Sequence, residues 1–365
     1  KACECYRSAA EHGQPAAQCR LGFFYYHGIA VEENNEEAFR WFSKSAEQGY
    51  APARFQLGQC YENGCGVKRD FEQAGHFYRL AADQNELRAV TALGYCYESG
   101  QGVTEDKARA MELYQQAAEQ GYAPAQCNLG FFHYHGIAVE ENNKQAVKWF
   151  KKSAEQGYPR AQYFLGQCYE YGYGIKRSLT KAVEQYQLAA EKGDAAAQTA
   201  LGFCYETGRG TKADGEKARQ QYLLAVRQNY APAQCALGEL YFQAEIYYQA
   251  LDLERDVREA ARWFAMAAEQ KHARAQYFLG QCYEQGLGVE QDPEKAVELY
   301  RSAADQGSAA AQTALGLCYE MGIGVEEDKE TAAGWYRLAA EQEHAPAQFN
   351  LGFFYYHGIG VPENN

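Results

Sequence analysis

In the stretch 293–304, Ala296, Tyr300, Ala303 and Ala304 fall at i, i+4, i+7 and i+8, an apolar stripe along one face of a helix. Polar residues fill the positions between them, and Gly307 follows as a helix stop. Ahead of this stretch lies a second apolar block built around Leu279-Gly280, and that dipeptide is periodic. Its glycines stand at Gly22, Gly58, Gly94, Gly130, Gly166, Gly202, Gly238, Gly280, Gly316 and Gly352, in steps of 36 residues except for one of 42 between Gly238 and Gly280. A fixed period of this length is the mark of a repeat array. A longer period lies on top of it. The string FFYYHGIAVEENN at Phe23–Asn35 returns almost unchanged 108 residues later at Phe131–Asn143 and begins again at Phe353, so three repeats have been copied as one cassette.

Each unit reads as two helices. The first opens at a segment such as Tyr122-Ala-Pro-Ala, with Pro124 in the first turn where a missing N–H costs little, and closes at a Gly-x-x-Val loop. Twelve residues after each anchoring glycine stands a capping residue: Asn34, Asp70, Asp106, Asn142, Ser178, Asp214, Asp292 or Asp328. Such side chains accept from the free N–H groups that open a second helix. Asn34 lies three residues before Glu37, the spacing of a capping box. The pattern predicts an all-α chain of about ten 36-residue helix pairs, running as a single array over 1–365 with an irregular unit at 238–264.

The consensus A-x-A-Q-x-x-L-G-x-x-Y-x-x-G-x-G-V-x-x-D-x-x-x-A-x-x-x-Y-x-x-A-A-x-x-G closely resembles the Sel1-like repeat, a relative of the tetratricopeptide repeat, and covers essentially the whole chain. The resemblance implies an α/α right-handed superhelical solenoid that acts as a non-catalytic scaffold or adaptor for protein assembly. Members of that family occur in bacterial signalling, host interaction and ER-associated degradation, so the family names a mode of action and leaves the partner open.

Sorting the first helix at about 100° per residue, with each anchoring Leu at zero, separates two stripes. The residue four on is Tyr in nine of ten repeats, with His133 the exception, and shares the core stripe; His133 is expected there as a hydrogen-bonded imidazole. Positions −2, +2, +5 and +6 form the opposite stripe, which the resemblance places along a concave groove. These forty positions hold fourteen aromatics, seven Glu and no Lys or Arg, where average composition would place about four basic residues. The candidate groove residues are Phe23, Tyr26, His27, Glu62, Tyr95, Glu98, Phe131, Tyr134, His135, Tyr163, Glu170, Tyr171, Phe203, Glu206, Tyr277, Glu284 and Glu320. Aromatic rings interleaved with carboxylates suit a peptide bearing Lys or Arg, through cation–π contact and charge pairing. The bland alternative is that the Glu residues are ordinary for the repeat and the rings pack between adjacent first helices.

Charge and chemistry narrow the classes further. A net charge of −13 with no Lys/Arg cluster argues against nucleic acid and against anionic membrane surfaces. No stretch approaches the roughly 18 apolar residues of a membrane span. The twelve Cys follow the repeat, at three after the Leu (Cys60, Cys96, Cys168, Cys204, Cys282, Cys318) or two before it (Cys19, Cys127, Cys235), and read as volume matching between neighbouring helices. Thiols that stay unpaired, and the lack of an Asn-x-Ser/Thr sequon, favour a cytosolic setting. His27, His135 and His357 fall at equivalent positions far apart in the array, and Cys3 and Cys5 point to nearly opposite sides of a helix, so no metal site is expected. Ser178-Leu-Thr-Lys181 matches an S-x-x-K motif, but Ser178 holds the cap position of other repeats. No catalytic constellation and no cofactor site emerge.

The irregular unit replaces the loop glycines by Gln243–Asp256 with six added residues, and nothing there breaks a helix, so the first helix is expected to run on by one or two turns toward Leu253. Ile246, Tyr247, Ala250 and Leu251 then form an apolar ridge, either packed on its own second helix or used as a docking or dimer contact. The chain begins within a helical pattern and stops within a loop, like a segment of something longer, and its apolar edge at Ala347–Tyr356 predicts end-to-end self-association. The leading functional reading is a protein-binding scaffold. A repeat module of a larger signalling or enzyme-associated protein, and a carbohydrate or cell-wall binder using the aromatic rows, are the alternatives.

Overall fold

The computed structural model describes residues 2–247 and 256–360, and every regular element among them is an α-helix, twenty in all. Two kinds of helix alternate. The first of each repeat, here the A helix, is exemplified by Ala123–His135, and the second, the B helix, by Asn143–Glu155. The chain divides into two compact units, 1–177 and 178–365, and each is a run of the same A/B hairpins.

Local chemistry explains the boundaries. Ala123–His135 starts after Tyr122 in extended conformation, carries Pro124 in its first turn and ends at Gly136, whose left-handed φ of 65° turns the chain out of the helix. The B helix then starts at Asn142, whose side chain accepts from Gln145 N at 3.1 Å. Ser178 plays the same part, accepting from Lys181 N. At Asn34 only half of the expected capping box forms. Its side chain accepts from Glu37 N at 2.9 Å, but its own N–H donates to the Tyr25 carbonyl at 2.9 Å, and Glu37 instead holds Arg40 at 2.8 Å. The second loop residue comes close to the preceding B helix: a Cβ on Gly102 would stand 1.9 Å from the carbonyl oxygen of Phe71, whereas two other repeats carry Ala30 and Ala138 at this position, at φ of 59° and 56°.

The core lies between A and B helices. The anchoring Leu is buried, and the Gly after it lets one aromatic ring of the following B helix lie against the A-helix backbone. A Cβ on Gly130 would meet Phe150 at 2.7 Å, and one on Gly58 would meet Tyr78 at 2.5 Å. Around each contact sit buried alanines such as Ala110, Ala117, Ala146 and Ala182, whose small side chains permit tight helix approach.

Successive repeats are also joined by glutamines. Gln126 donates to the Ala118 carbonyl at the end of the preceding B helix (3.1 Å) and accepts from Gln156 at the end of the following one (2.8 Å). Gln18 with Ala10 and Gln48, and Gln312 with Ala304 and Gln342, repeat the arrangement. These amides add a second donor to helix-end carbonyls that already accept a backbone N–H, and so tie each A helix to the B helices before and after it.

Two expectations need adjustment. The His133 ring is half-buried; its Nδ1 is buried without the hydrogen-bond partner expected for it, and burial lowers the imidazole pKa. In the irregular repeat the A helix Ala231–Tyr247 has 17 residues rather than 13, one added turn. The continuation toward Leu253 and the proposed ridge of Ile246, Tyr247, Ala250 and Leu251 lie outside the residues whose side chains are described.

Candidate functional site

The A-helix stripe opposite the core carries the candidate residues, and the structure sorts them into three groups.

The first is the carboxylates. The hydroxyl of Tyr78 donates to Glu62 Oε2 at 2.5 Å, Tyr114 to Glu98 at 2.6 Å, Tyr222 to Glu206 at 2.5 Å, Tyr300 to Glu284 at 2.7 Å and Tyr336 to Glu320 at 2.5 Å. Each tyrosine is the buried B-helix ring that lies on an anchoring glycine, so these Glu have a structural duty: they satisfy a phenol that the core would otherwise strand. Burial and the neighbouring carboxylate push the Tyr78, Tyr114, Tyr300 and Tyr336 phenols far above the ordinary tyrosine range. The five carboxylates remain half-exposed, whereas Glu170 is only 6% exposed and its carbonyl accepts from Arg177 Nε at 2.9 Å.

Where the B-helix ring is Phe, the residue sixteen positions earlier is Tyr. Phe42 goes with Tyr26, and Phe150 with Tyr134, whose rings stand 6.3 Å apart edge-to-face. Sequence reasoning missed this exchange, although Tyr with Glu and Phe with Tyr at a spacing of sixteen is visible in one chain.

The second group is half-buried rings packed within the array. Phe23 contacts His27 at 4.2 Å, Tyr26 contacts His27 at 4.9 Å, and Tyr26 OH lies 3.8 Å from Cys65 Sγ. Tyr277 accepts from Gln281 Nε2 at 2.9 Å and stands 5.9 Å from Tyr300. Phe55 is buried against Tyr78.

The third is an aromatic cluster in the first unit, half-buried except at the exposed His135, Tyr171 and Tyr173. Phe131 contacts His135 at 4.3 Å and Phe164 at 5.5 Å, and Tyr163 contacts Phe164 at 5.4 Å. Tyr134 meets Tyr173 at 5.8 Å, and Tyr173 stacks on Tyr171 at 5.5 Å. Phe131, Tyr134, His135, Tyr163 and Tyr171 are thus brought together, joined by Phe164 and Tyr173. Tyr171 is 52% exposed, and Tyr95 in an earlier repeat is 48% exposed. In the second unit Phe203 is likewise exposed.

Basic residues are present on this stripe after all. Position −5 lies at about 220° on the helical wheel, between +2 and +6, and it was left out of the four sampled positions. It holds Arg88, Arg160 and Arg274. Arg88 lies 4.8 Å from the Phe55 ring and pairs with Glu86 at 2.8 Å, and Arg274 pairs with Glu239 at 2.6 Å. Arg160 lies 5.8 Å from Phe131 and 5.7 Å from Phe164, while Arg20 and Arg209 cover Phe23 and Phe203. Residues of three consecutive A helices, among them Ala16, Arg20, Phe23, Pro52 and Arg88, line a cleft of about 460 Å³.

All twelve cysteines are free thiols. Burial raises Cys60, Cys168 and Cys318 from about 9 to about 12, and Cys96 and Cys282 to about 11. Because the folded state holds these protons, and those of the buried phenols, more tightly than the unfolded chain, the linked stability is complete below about pH 9 and is lost as pH rises through the folded values. Urea midpoints followed by circular dichroism are expected to be nearly flat from about pH 7 to 8.5 and to fall steeply between about pH 9 and 11. A flat profile to pH 11 contradicts the buried protonated core.

Among the described residues no helix is long and apolar enough to cross a membrane, and no group of three His, Cys, Asp or Glu could hold a metal ion.

Hairpins of paired helices, anchored by a Leu-Gly step and stacked through a glutamine ladder, define a helical-repeat protein. The chain belongs to the Sel1 repeat family, whose repeat model matches it in eleven consecutive segments from 1–14 and 15–50 through to 345–365. It is similar to the crystal structure of a protective antigen present in uropathogenic Escherichia coli strains and displaying an SLR fold. That match has 32% identity, covers 99% of this chain and 84% of the other, and has a TM-score of 0.57. A Sel1 repeat protein from Oxalobacter formigenes is 30% identical over 68% of this chain and 96% of its own, with a TM-score of 0.59. Among curated proteins no relative matches.

Proposed function

We propose that the chain is a non-catalytic interaction scaffold whose A-helix stripe takes a peptide or protein partner bearing Lys or Arg. The observation that carries this reading is the row of half-exposed carboxylates, each held in one orientation by a tyrosine hydroxyl before any ligand arrives. A preoriented carboxylate spends little entropy on binding a cation. The chain's own guanidinium groups already lie over Phe23, Phe131 and Phe203, so a partner's basic groups belong at the carboxylates and its apolar groups at the open Tyr171–Tyr173 stack. Sel1 repeats commonly serve protein–protein interaction, which supports the same reading.

The choice of variant follows from burial. Substitutions at Tyr134 or Glu170 disturb packing, whereas Tyr95 and Tyr171 are exposed, so Tyr95→Ala with Tyr171→Ala tests the surface and spares the fold. Affinity capture with the wild type is expected to retain a defined basic protein partner that the double variant loses. Equal retention by both proteins removes binding from this stripe.

A further inference from the structure

Contrary to the expectation of no basic cluster, the B helix Asn143–Glu155 carries Lys144, Lys148, Lys151 and Lys152 against a single Glu155, a net charge of +3. The other described B helices lie between −1 and +1. At about 100° per residue the four lysines fall within an arc of about 100°, on the side away from buried Ala146, Phe150, Ser153 and Ala154.

The chain contains its own control. The helix Asn35–Glu47 is the earlier copy of the same element, and its buried residues Ala38, Phe42, Ser45 and Ala46 recur as Ala146, Phe150, Ser153 and Ala154, with half-buried Phe39 standing where the later copy buries Val147. On its outer side Glu36, Glu37, Arg40 and Ser43 stand where the later copy has Lys144, Gln145, Lys148 and Lys151. The Arg40–Glu37 ion pair of 2.8 Å has no counterpart, and among the described residues none of the four lysines pairs with a carboxylate. A copy that keeps its core and becomes cationic only outside has acquired a surface property.

Neighbouring features give the patch its size. The loop bearing exposed Lys176 and Arg177 lies against the start of this helix, since a Cβ on Gly174 would stand 2.2 Å from the Asn143 carbonyl oxygen and 2.7 Å from Lys144 N. Trp149 lies within it, with Lys152 Nζ 4.4 Å from the ring. Glu140 and Glu141 bound the patch before the helix, and Glu155 bounds it after. Lys144 to Lys152 spans about 12 Å at 1.5 Å per residue, the length of three or four extended residues.

We infer that this B-helix face is a second interaction surface and that its occupant is a short acidic segment of a partner protein. Bounding carboxylates and a chain of net charge −13 repel a long polyanion or an anionic membrane sheet, whereas a segment of a few carboxylates fits between them within one screening length of about 8–10 Å. The surface is distinct from the A-helix stripe, and the sign of its ligand is opposite.

The test is fluorescence anisotropy with a fluorescein-labelled hexaglutamate peptide at about 50 mM salt. The variant Lys144→Glu/Gln145→Glu/Lys151→Ser transplants the outer face of Asn35–Glu47, a set the same helix already tolerates. It is expected to weaken binding about tenfold or more with an unchanged thermal midpoint, while Tyr95→Ala/Tyr171→Ala binds hexaglutamate like the wild type. Absence of wild-type binding, equal binding by the transplanted variant, loss in the Tyr variant, or tighter binding of a DNA oligonucleotide or of phosphatidylserine vesicles overturns the inference.

Discussion

Gly58→Ala is expected to destabilise its repeat by about 2–3 kcal/mol, and Gly334→Ala to leave its repeat unharmed or gain up to about 1 kcal/mol. Gly58 lies inside the A helix Ala51–Asn63 and Gly334 inside the B helix Lys329–Glu341, so propensity alone favours alanine at each. They differ in what the new methyl meets. At Gly58 it would sit 2.5–2.6 Å from ring atoms of Tyr78, which is held by Glu62 and has no free space to move into. At Gly334 nothing lies within 4 Å. Relief at Gly58 requires separating the A and B helices, which forfeits dispersion contacts along the whole pair. Because each repeat leans on its neighbours, the loss is expected as an early unfolding phase in urea, read by circular dichroism. Equal effects at the two sites contradict the role assigned to the Leu-Gly step.

The second large effect concerns Glu98 and Tyr114. Tyr114→Phe alone is expected to cost about 1 kcal/mol, since Glu98 is half-exposed and water can replace the lost donor. Glu98→Tyr alone is expected to cost about 2–3 kcal/mol, because it strands a buried phenol and adds a ring beside it. The double variant recreates the Tyr134–Phe150 pairing found in the same chain and is expected to return to within about 0.5 kcal/mol of wild type. Additive losses in the double variant show that the two positions are not coupled.

These two contacts mark what could be read from the chain and what could not. The period, the caps twelve residues after each Gly and the assignment of Leu and Tyr to one stripe follow from local rules, which a single helix or turn can express. The added turn in Ala231–Tyr247 was legible for the same reason: no residue there ends a helix. The duty of Glu62 or Glu98 was not, because it joins two helices sixteen residues apart, and a carboxylate on the outer stripe looks alike whether it serves a ligand or a core phenol. Arg88, Arg160 and Arg274 lie at −5, one turn before the positions −2 to +6 by which the stripe is recognised in the sequence. For His133, the core stripe holds a ring that is only half-buried, and its hydrogen bonding depends on neighbours that no local rule specifies.

The central claim, that the A-helix stripe is a binding surface with structurally tethered carboxylates, is tested most directly by titrating a labelled Arg- and Tyr-containing peptide into wild type and into Tyr95→Ala/Tyr171→Ala. The account predicts salt-sensitive binding to the wild type, weakened about tenfold or more in the variant while the urea midpoint stays in place. Undiminished affinity in the variant, or binding that ignores salt, contradicts it.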